Sequence, residues 1–187
     1  ESDRKKIAIV GCVFVADYYA LTLPNHPQLE LLGVFDRAPQ RRRAFSTFHR
    51  VPAYDSLPQM LMDERVELVL NLTNPGSHYE ISKACLEAGK HVYSEKPLST
   101  EFREAEELVG LAESRGLYLT SAPCNVLSES AQTVWKALRE KTIGTVRLAY
   151  AELDDGLIHR MRYRHWRSAS GVPWPWKDEF EVGCTLE

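Results

Sequence analysis

The sequence has no long apolar run, no closely paired cysteines and no large excess of either charge, and each absence argues against a class of protein. No run approaches the roughly 18 apolar residues that a membrane-spanning helix needs, and the start, residues 1–6, is not followed by the apolar core of a signal peptide. A net charge of −3 is not typical of nucleic-acid or anionic-membrane binders. We therefore expect a cytoplasmic protein with neither a nucleic-acid nor a membrane partner.

The four cysteines, at positions 12, 85, 124 and 184, form no CxxC pair. That spacing argues against a zinc knuckle and against a redox dithiol. The pair His159 and His165 has no convincing metal spacing and no carboxylate pattern to complete a site. We expect buried thiols in a reducing compartment and no bound metal.

Alternating strands and helices fill the first 120 or so residues. A hydrophobic content of 44% with 26% charged residues is a globular balance, and 187 residues suffice for one domain and part of another. Six strands are predicted, at 7–10, 29–35, 51–54, 68–72, 91–94 and 117–121, with helices between them. This order predicts an α/β fold with a doubly wound parallel sheet.

The pattern changes after Asn125. A helix is predicted over 129–141 and a strand over 146–153, followed by an irregular, aromatic-rich stretch. We interpret residues 1–125 as one α/β domain and residues 126–187 as the beginning of a second domain. Because one helix and one strand bury little surface by themselves, this second domain is expected to be truncated or completed elsewhere.

The turn after the first strand, residues 11–16 (GCVFVA), partly matches the dinucleotide-binding pattern GxGxxG/A. Gly11 gives the tight turn and Ala16 permits close helix packing. Val13 replaces the middle glycine, where a β-branched residue is expected to cost about 1–3 kcal/mol in fit or strain.

Two further positions fit a bound dinucleotide. Asp36 ends the second strand, where an acid hydrogen-bonds the ribose 2′-hydroxyl of NAD and repels a 2′-phosphate. Arg37, beside it, either stacks on adenine or softens that repulsion, so NAD is preferred and NADP stays open. The tripeptide Glu95-Lys96-Pro97 ends a strand, which places Lys96 in the crevice where open α/β sheets bind ligands.

With these motifs in this order along the chain, residues 6–155 resemble the Gfo/Idh/MocA family of glucose-fructose oxidoreductases and inositol dehydrogenases. The matching segments are residues 9–11 with Ala16, 34–37, 73–78 (TNPGSH), 87–92 and the E-K-P signature at 95–97. The resemblance implies that residues 1–125 are a Rossmann dinucleotide-binding domain and that residues 126–187 begin an α+β substrate and dimerisation domain. It also implies bound NAD(P) and hydride transfer to or from a sugar, cyclitol or similar polyol. It implies that the full-length form is a homo-oligomer.

The resemblance also assigns roles to residues. Lys96 matches the active-site lysine that handles the proton of the reacting carbinol, and the Lys96–Pro97 bond is expected to be cis. The residues implied to contact the coenzyme are Gly11, Val13, Phe14, Val15, Asp36, Arg37, Thr73, Asn74, His78, Glu95, Lys96 and Asn125. Substrate contacts are expected from Lys96, Tyr163, Trp166 and Arg167.

The match is incomplete at residues 182–187, which follow the family's G-G-x-L-x-D segment only in part. The histidine expected after it, commonly an acid or base, is absent from this chain. We therefore expect the chain alone to turn over slowly or not at all. Two alternatives stay open: an NAD-dependent glycosidase-type hydrolase of the same family, and a non-catalytic fragment or pseudoenzyme.

Overall fold

The computed structural model describes residues 4–122, 126–152 and 160–178, which fall into two compact units. Residues 4–122 and 163–178 make up the first unit, and residues 126–152 and 160–162 make up the second. The segment 163–178 therefore groups with the first unit, although the sequence division at residue 125 assigns it to the second domain.

The first unit contains a five-stranded parallel sheet in the order β2-β1-β3-β4-β5. The strands are β1 (Lys5–Val10), β2 (Leu29–Phe35), β3 (Leu68–Asn71), β4 (His91–Ser94) and β5 (Leu119–Ser121). Because β2 lies on one side of β1 and β3 on the other, the strand order reverses there. A crevice opens at the carboxyl ends of the strands at such a reversal. The predicted doubly wound α/β fold is confirmed.

Helices connect the strands close to the predicted positions. They are α1 (Phe14–Thr22), α2 (Pro39–His49), α3 (Leu57–Met62), α4 (His78–Glu87) and α5 (Phe102–Arg115). Proline stands in the first turn of α2 and α3, where its missing N–H costs no helical hydrogen bond. The second unit contains α6 (Glu129–Arg139), whose N-cap Ser128 accepts a hydrogen bond from the Ala131 N–H.

Strand β1 is buried on both faces, which explains its continuous apolar sequence. Ala8 and Val10 pack into a cluster with Val69, Leu86 and Leu108 on one side of the sheet. Alternate residues of β1 face a second cluster on the other side, formed by Ile7, Ile9, Ala16, Val34, Phe45 and Leu72 among others. The helices on both faces of the sheet therefore pack against the same central strand. This strand, β1, ends at the crevice.

Two predicted strands are absent among the described residues. In residues 51–54 only Ala53 pairs, through an isolated bridge to Val34, because Pro52 has no N–H for a ladder and contributes only its carbonyl. Residues 146–152 pair with no other described segment and are exposed, so they form no strand; a strand exists only through its hydrogen-bonded neighbour. The sheet thus has five strands rather than six.

No helix in the described ranges combines the length and the apolar character needed to cross a bilayer.

Gly11 follows β1 in a conformation that only glycine adopts easily. Its φ is +94°, and a Cβ placed on it would lie 2.7 Å from the Leu72 carbonyl group and from the Thr73 nitrogen. Two backbone segments, after β1 and after β3, therefore pass each other at contact distance. This explains the glycine that the sequence pattern singles out.

Replacing Gly11 with alanine is expected to lower the free energy of unfolding by at least about 2 kcal/mol, because the new methyl group meets backbone atoms and φ is positive. Gly110→Ala is the matched control, since a Cβ in that exposed helical position meets nothing within 4 Å. It is expected to stabilise the protein by about 0.5–1 kcal/mol. Urea unfolding followed by circular dichroism measures both. Equal effects of the two substitutions would contradict the close approach at Gly11.

Candidate coenzyme and active site

Two adjoining clefts lie at the carboxyl ends of the strands. The first, of about 480 Å³, is lined by Gly11, Asp36, Arg37 and Arg41 among others. The second, of about 650 Å³, contains Glu95 and Lys96. Both clefts share Val13, Thr73 and Asn74 as lining residues, so these three lie at their junction.

The described residues that the sequence predicts to contact a coenzyme all line these clefts. The first cleft contains Gly11, Val13, Asp36, Arg37, Thr73 and Asn74. The second contains Phe14, Val15, His78, Glu95 and Lys96, and again Val13, Thr73 and Asn74. Asn125 and Cys124 lie outside the described residues.

Val13 adopts an ordinary backbone conformation, so the predicted backbone strain at this position is wrong. Its φ of −94° and ψ of −176° are extended values that any β-branched residue accepts. Val13 is the N-cap of α1, and no side chain caps the helix there. The Ala16 N–H donates to the Val13 carbonyl at 3.0 Å. The amides of Phe14 and Val15, two residues that line the second cleft, therefore present the positive end of the helix dipole there.

Asp36 is 3% exposed and uses its carboxylate to hold the first turn. One oxygen accepts from the Cys12 N–H at 2.9 Å and the other from the Ala38 N–H at 2.7 Å. The guanidinium of Arg41 donates to both oxygens, at 3.2 and 3.0 Å. These four contacts fill about all the acceptor capacity of a carboxylate. The charge of Asp36 is therefore balanced by that of Arg41, and both residues line the first cleft.

The thiols of Cys12 and Cys85 are free and buried. Burial raises the pKa of each thiol to about 12, and the carboxylate of Asp36 adds to this at Cys12. Both are therefore neutral, packed thiols at physiological pH. Cys184 lies outside the described residues.

Asn71, at the end of β3, organises the turn that follows. Its amide nitrogen donates to the His78 carbonyl and to the Ser82 hydroxyl, both at 2.9 Å. Its oxygen accepts from the Thr73 hydroxyl at 2.7 Å and from the Thr73 N–H at 3.3 Å. This fully buried side chain thereby fixes Thr73 at the junction. Sequence analysis missed it, because an asparagine that ends a strand has no distinctive local signal.

His78 ties the turn after β3 to the E-K-P turn. Its ring lies 2.8 Å from the Thr73 carbonyl oxygen and 2.6 Å from the Pro97 carbonyl oxygen. Since a carbonyl only accepts, both contacts are hydrogen bonds when both ring nitrogens carry protons. The Lys96–Pro97 bond is cis, as expected.

Asn74 carries the one polar side-chain atom within the described ranges that is buried without a hydrogen-bond partner. Its amide nitrogen donates to the carboxylate of Asp178, which fixes the orientation of the amide because a carboxylate accepts only. The amide oxygen is therefore left without a donor at the junction of the two clefts.

Glu95 is held from two sides in the second cleft. The Tyr19 hydroxyl donates to one oxygen at 2.6 Å, and the Lys96 N–H donates to the other at 3.1 Å. Burial and the neighbouring Glu95 carboxylate raise the pKa of Tyr19, so the phenol remains a donor at all physiological pH values. Tyr19 is a second residue that sequence analysis missed, since it lies in a helix 76 positions away.

Of the four predicted substrate residues, Lys96 lines the second cleft, whereas Tyr163, Trp166 and Arg167 line neither cleft. Tyr163 and Trp166 instead pack against Trp174, with ring centroids 5.9 and 5.3 Å away. The guanidinium of Arg167 donates to the carbonyls of Arg164 and Trp166 within its own segment. Trp174 and Pro175, which were not among the predicted site residues, line the second cleft. Within residues 4–122, 126–152 and 160–178, no three His, Cys, Asp or Glu side chains cluster in a way that could hold a metal ion.

The site has the features that a dinucleotide coenzyme requires. A close-approach glycine, an uncapped helix N-terminus, an acid after β2 and an unpartnered acceptor lie along two adjoining clefts. Residues 5–122 match the profile of the GFO_IDH_MocA family, described as "Oxidoreductase family, NAD-binding Rossmann fold".

Individual relatives agree with this match. Trans-1,2-dihydrobenzene-1,2-diol dehydrogenase of Macaca fascicularis is 31% identical over 167 residues, which cover 88% of this chain and 50% of that protein. The WlbA dehydrogenase of Chromobacterium violaceum, solved with NADH and UDP-GlcNAcA, has a TM-score of 0.71 at 29% identity over 76% of this chain and 41% of that one.

Biliverdin reductase of Synechocystis, solved with biliverdin and NADP+, has a TM-score of 0.63 at 25% identity over 72% of this chain and 42% of that one. The chain spans about half the length of the curated relatives it matches. The profile match and the site together show that this chain belongs to the Gfo/Idh/MocA oxidoreductase family and contains its NAD-binding Rossmann fold.

Proposed function

We propose that this protein is an NAD(P)-dependent oxidoreductase that transfers a hydride between the coenzyme and a hydroxyl or carbonyl group of a sugar, cyclitol or related polyol. The observation that carries the proposal is the position of Lys96 and Glu95 in a cleft that adjoins the cleft of Asp36. One cleft suits the adenosine end of a dinucleotide, and the other suits its reactive end beside a proton-transferring amine.

The coenzyme is held by residues that line the two clefts. Gly11 lets the diphosphate approach the backbone, and the first amides of α1 donate to it. Asp36, Arg37 and Arg41 surround the adenosine ribose. Asn74, which lines both clefts, lies beside the middle of the coenzyme. When bound, NAD(P) supplies the hydride acceptor or donor at the end of the cleft where Glu95 lies.

Lys96 handles the proton of the reacting carbon–oxygen group. Oxidation of an alcohol releases the hydroxyl proton as the hydride leaves, and an amine in its neutral form takes that proton as a general base. In the reverse direction the ammonium returns it. Tyr19 and the Lys96 N–H fix Glu95, so the carboxylate stays beside the lysine without turning into the space for the substrate.

The substrate class follows from the walls of the second cleft and from the relatives. Phe14, Tyr18 and Trp174 provide flat apolar surfaces, while Lys96 and Glu95 provide polar groups. Such a combination suits a ring with an apolar face and hydroxyl substituents. The macaque relative acts on a ring diol, and the WlbA structure contains a sugar nucleotide. Both ligands have this character.

The first test is a coenzyme titration of the chain by calorimetry, followed by turnover of cyclic polyols in the full-length enzyme. Binding of NAD+ or NADP+ at micromolar to submillimolar concentration is expected. Lys96→Ala is expected to lower kcat by roughly 10²–10⁴-fold, as for loss of a general acid–base, with little change in coenzyme Kd. No binding at millimolar coenzyme would contradict the proposal, and a loss below threefold would remove Lys96 from the chemistry.

Arg41→Ala is expected to weaken binding of NADP+ by about tenfold and of NAD+ by less than threefold. Without the guanidinium, the Asp36 carboxylate is no longer neutralised and repels a 2′-phosphate, while its oxygens become available to a ribose hydroxyl. Arg43→Ala, an exposed arginine of the same helix that lines neither cleft, is the control. Parallel losses for both coenzymes would contradict the assignment of Arg41 to the ribose end.

Tyr19→Phe is expected to lower the free energy of unfolding by about 1.5–3 kcal/mol, because the buried Glu95 carboxylate loses its donor at 2.6 Å. Tyr118→Phe, at a tyrosine that is 75% exposed, is expected to change it by less than about 0.5 kcal/mol. Chemical unfolding of both variants gives the comparison. A Tyr19 variant as stable as the control would show that the contact contributes nothing.

A further inference from the structure

The segment 163–178 belongs to the first unit and is called the strap below. Arg167 and Pro173 form an antiparallel bridge, and the Ser168 N–H donates to the Val172 carbonyl at 2.9 Å. Ser168 and Val172 are both buried. The strap thus contains a turn that is closed by hydrogen bonds, and it packs against the rest of the first unit.

Asp17 of α1 anchors this turn. Its carboxylate, 1% exposed, accepts from the Ser170 N–H at 3.1 Å and from the Ser170 hydroxyl at 2.7 Å. The other oxygen lies 2.5 Å from a ring nitrogen of His49 at the end of α2. Burial raises the pKa of Asp17, but hydrogen bonds from Ser168, His49 and Ser170 outweigh it and hold the pKa below its usual value. A charged, buried carboxylate therefore joins two helices and the strap.

A second attachment lies further along the strap, where the carboxylate of Asp178 accepts from the amide of Asn74. Between the two attachments, Trp174 and Pro175 line the second cleft together with Glu95 and Lys96. The indole of Trp174 is flanked by the rings of Tyr163 and Trp166. The position of Trp174 is thus fixed by these two rings and by the attachments of the strap at Asp17 and Asn74.

We propose that Trp174 packs against the nicotinamide ring of the bound coenzyme, and that Asp17 is the positioning residue that docks the strap to place it there. The inference rests on the proposed function, since it assigns the second cleft to the nicotinamide end. An indole face attracts a flat ring and especially the cationic ring of the oxidised form. Asp17 itself lines neither cleft and acts through the strap.

The test compares NAD+ with ADP-ribose, which retains the adenosine, the diphosphate and the second ribose but lacks the nicotinamide ring. Calorimetric titration of the chain gives Kd for both ligands. Trp174→Leu is expected to raise the Kd for NAD+ about tenfold and the Kd for ADP-ribose less than twofold. Asp17→Asn is expected to follow the same pattern with a rise of about three- to tenfold, because it weakens the anchor.

Asp63→Asn is the matched control for Asp17. This carboxylate is also hydrogen-bonded, by Tyr54 and Arg65, but it lines neither cleft. It is expected to leave both Kd values unchanged within twofold. Trp135→Leu, in the second unit, is the control for loss of an exposed tryptophan.

Three outcomes overturn the inference. If Trp174→Leu binds NAD+ as well as the parent chain, the indole does not contact the ring. If Asp17→Asn weakens NAD+ and ADP-ribose equally, Asp17 acts on the fold in general and not through the strap. If the parent chain binds ADP-ribose but gains nothing from the nicotinamide, the ring lies elsewhere. Failure of the parent to bind either ligand rejects the proposed function as well.

Discussion

The site depends on the contact between two backbone segments at Gly11. The chain leaving β1 passes the carbonyl of Leu72 and the nitrogen of Thr73 with no room for a side chain. Because these segments follow neighbouring strands of a parallel sheet, their approach brings the start of α1 beside the turn that follows β3. The two clefts and the residues at their junction exist because of this contact.

Most polar side chains of the site are already committed to the protein itself. Asp36 holds the first turn, Asn71 holds the turn after β3, and His78 joins that turn to the E-K-P turn. Buried polar groups that are fully hydrogen-bonded rigidify their surroundings, whereas a half-satisfied network destabilises them. The site is therefore arranged before any ligand binds, and little ordering remains to oppose binding.

The sequence predicts the parts of this arrangement that depend on local patterns. Apolar runs, Gly11 and the strand-ending positions of Asp36 and Lys96 indicate the doubly wound sheet and the crevice, since each has a period or a spacing that can be read along the chain. The expected strain at Val13 was wrong because residue identity does not reveal φ, and a valine fits where the backbone is extended. The strand predicted over 146–153 is absent in its described part for a related reason. The sequence of a strand does not reveal which other segment it pairs with.

Residues that act across long sequence distances escaped prediction altogether. Asp17 meets Ser170 at a separation of 153 positions, and Tyr19 meets Glu95 at a separation of 76. Without alignment of related sequences, nothing links such pairs until the fold brings them together. Tyr163 and Trp166 were expected to contact the substrate directly. In the structure Tyr163 and Trp166 support Trp174, and only Trp174 of these three reaches the cleft.

The lone amide oxygen of Asn74 has a consequence for selectivity. A buried acceptor without a donor destabilises the folded protein by about 1–3 kcal/mol, and a ligand O–H would relieve this cost if a shift of the Asn74 side chain opened the oxygen to the cleft. A molecule of equal shape with an ether or a hydrogen there does not. Under the proposed function, a hydroxylated ligand would therefore be favoured over a deoxygenated one at this point of the cleft.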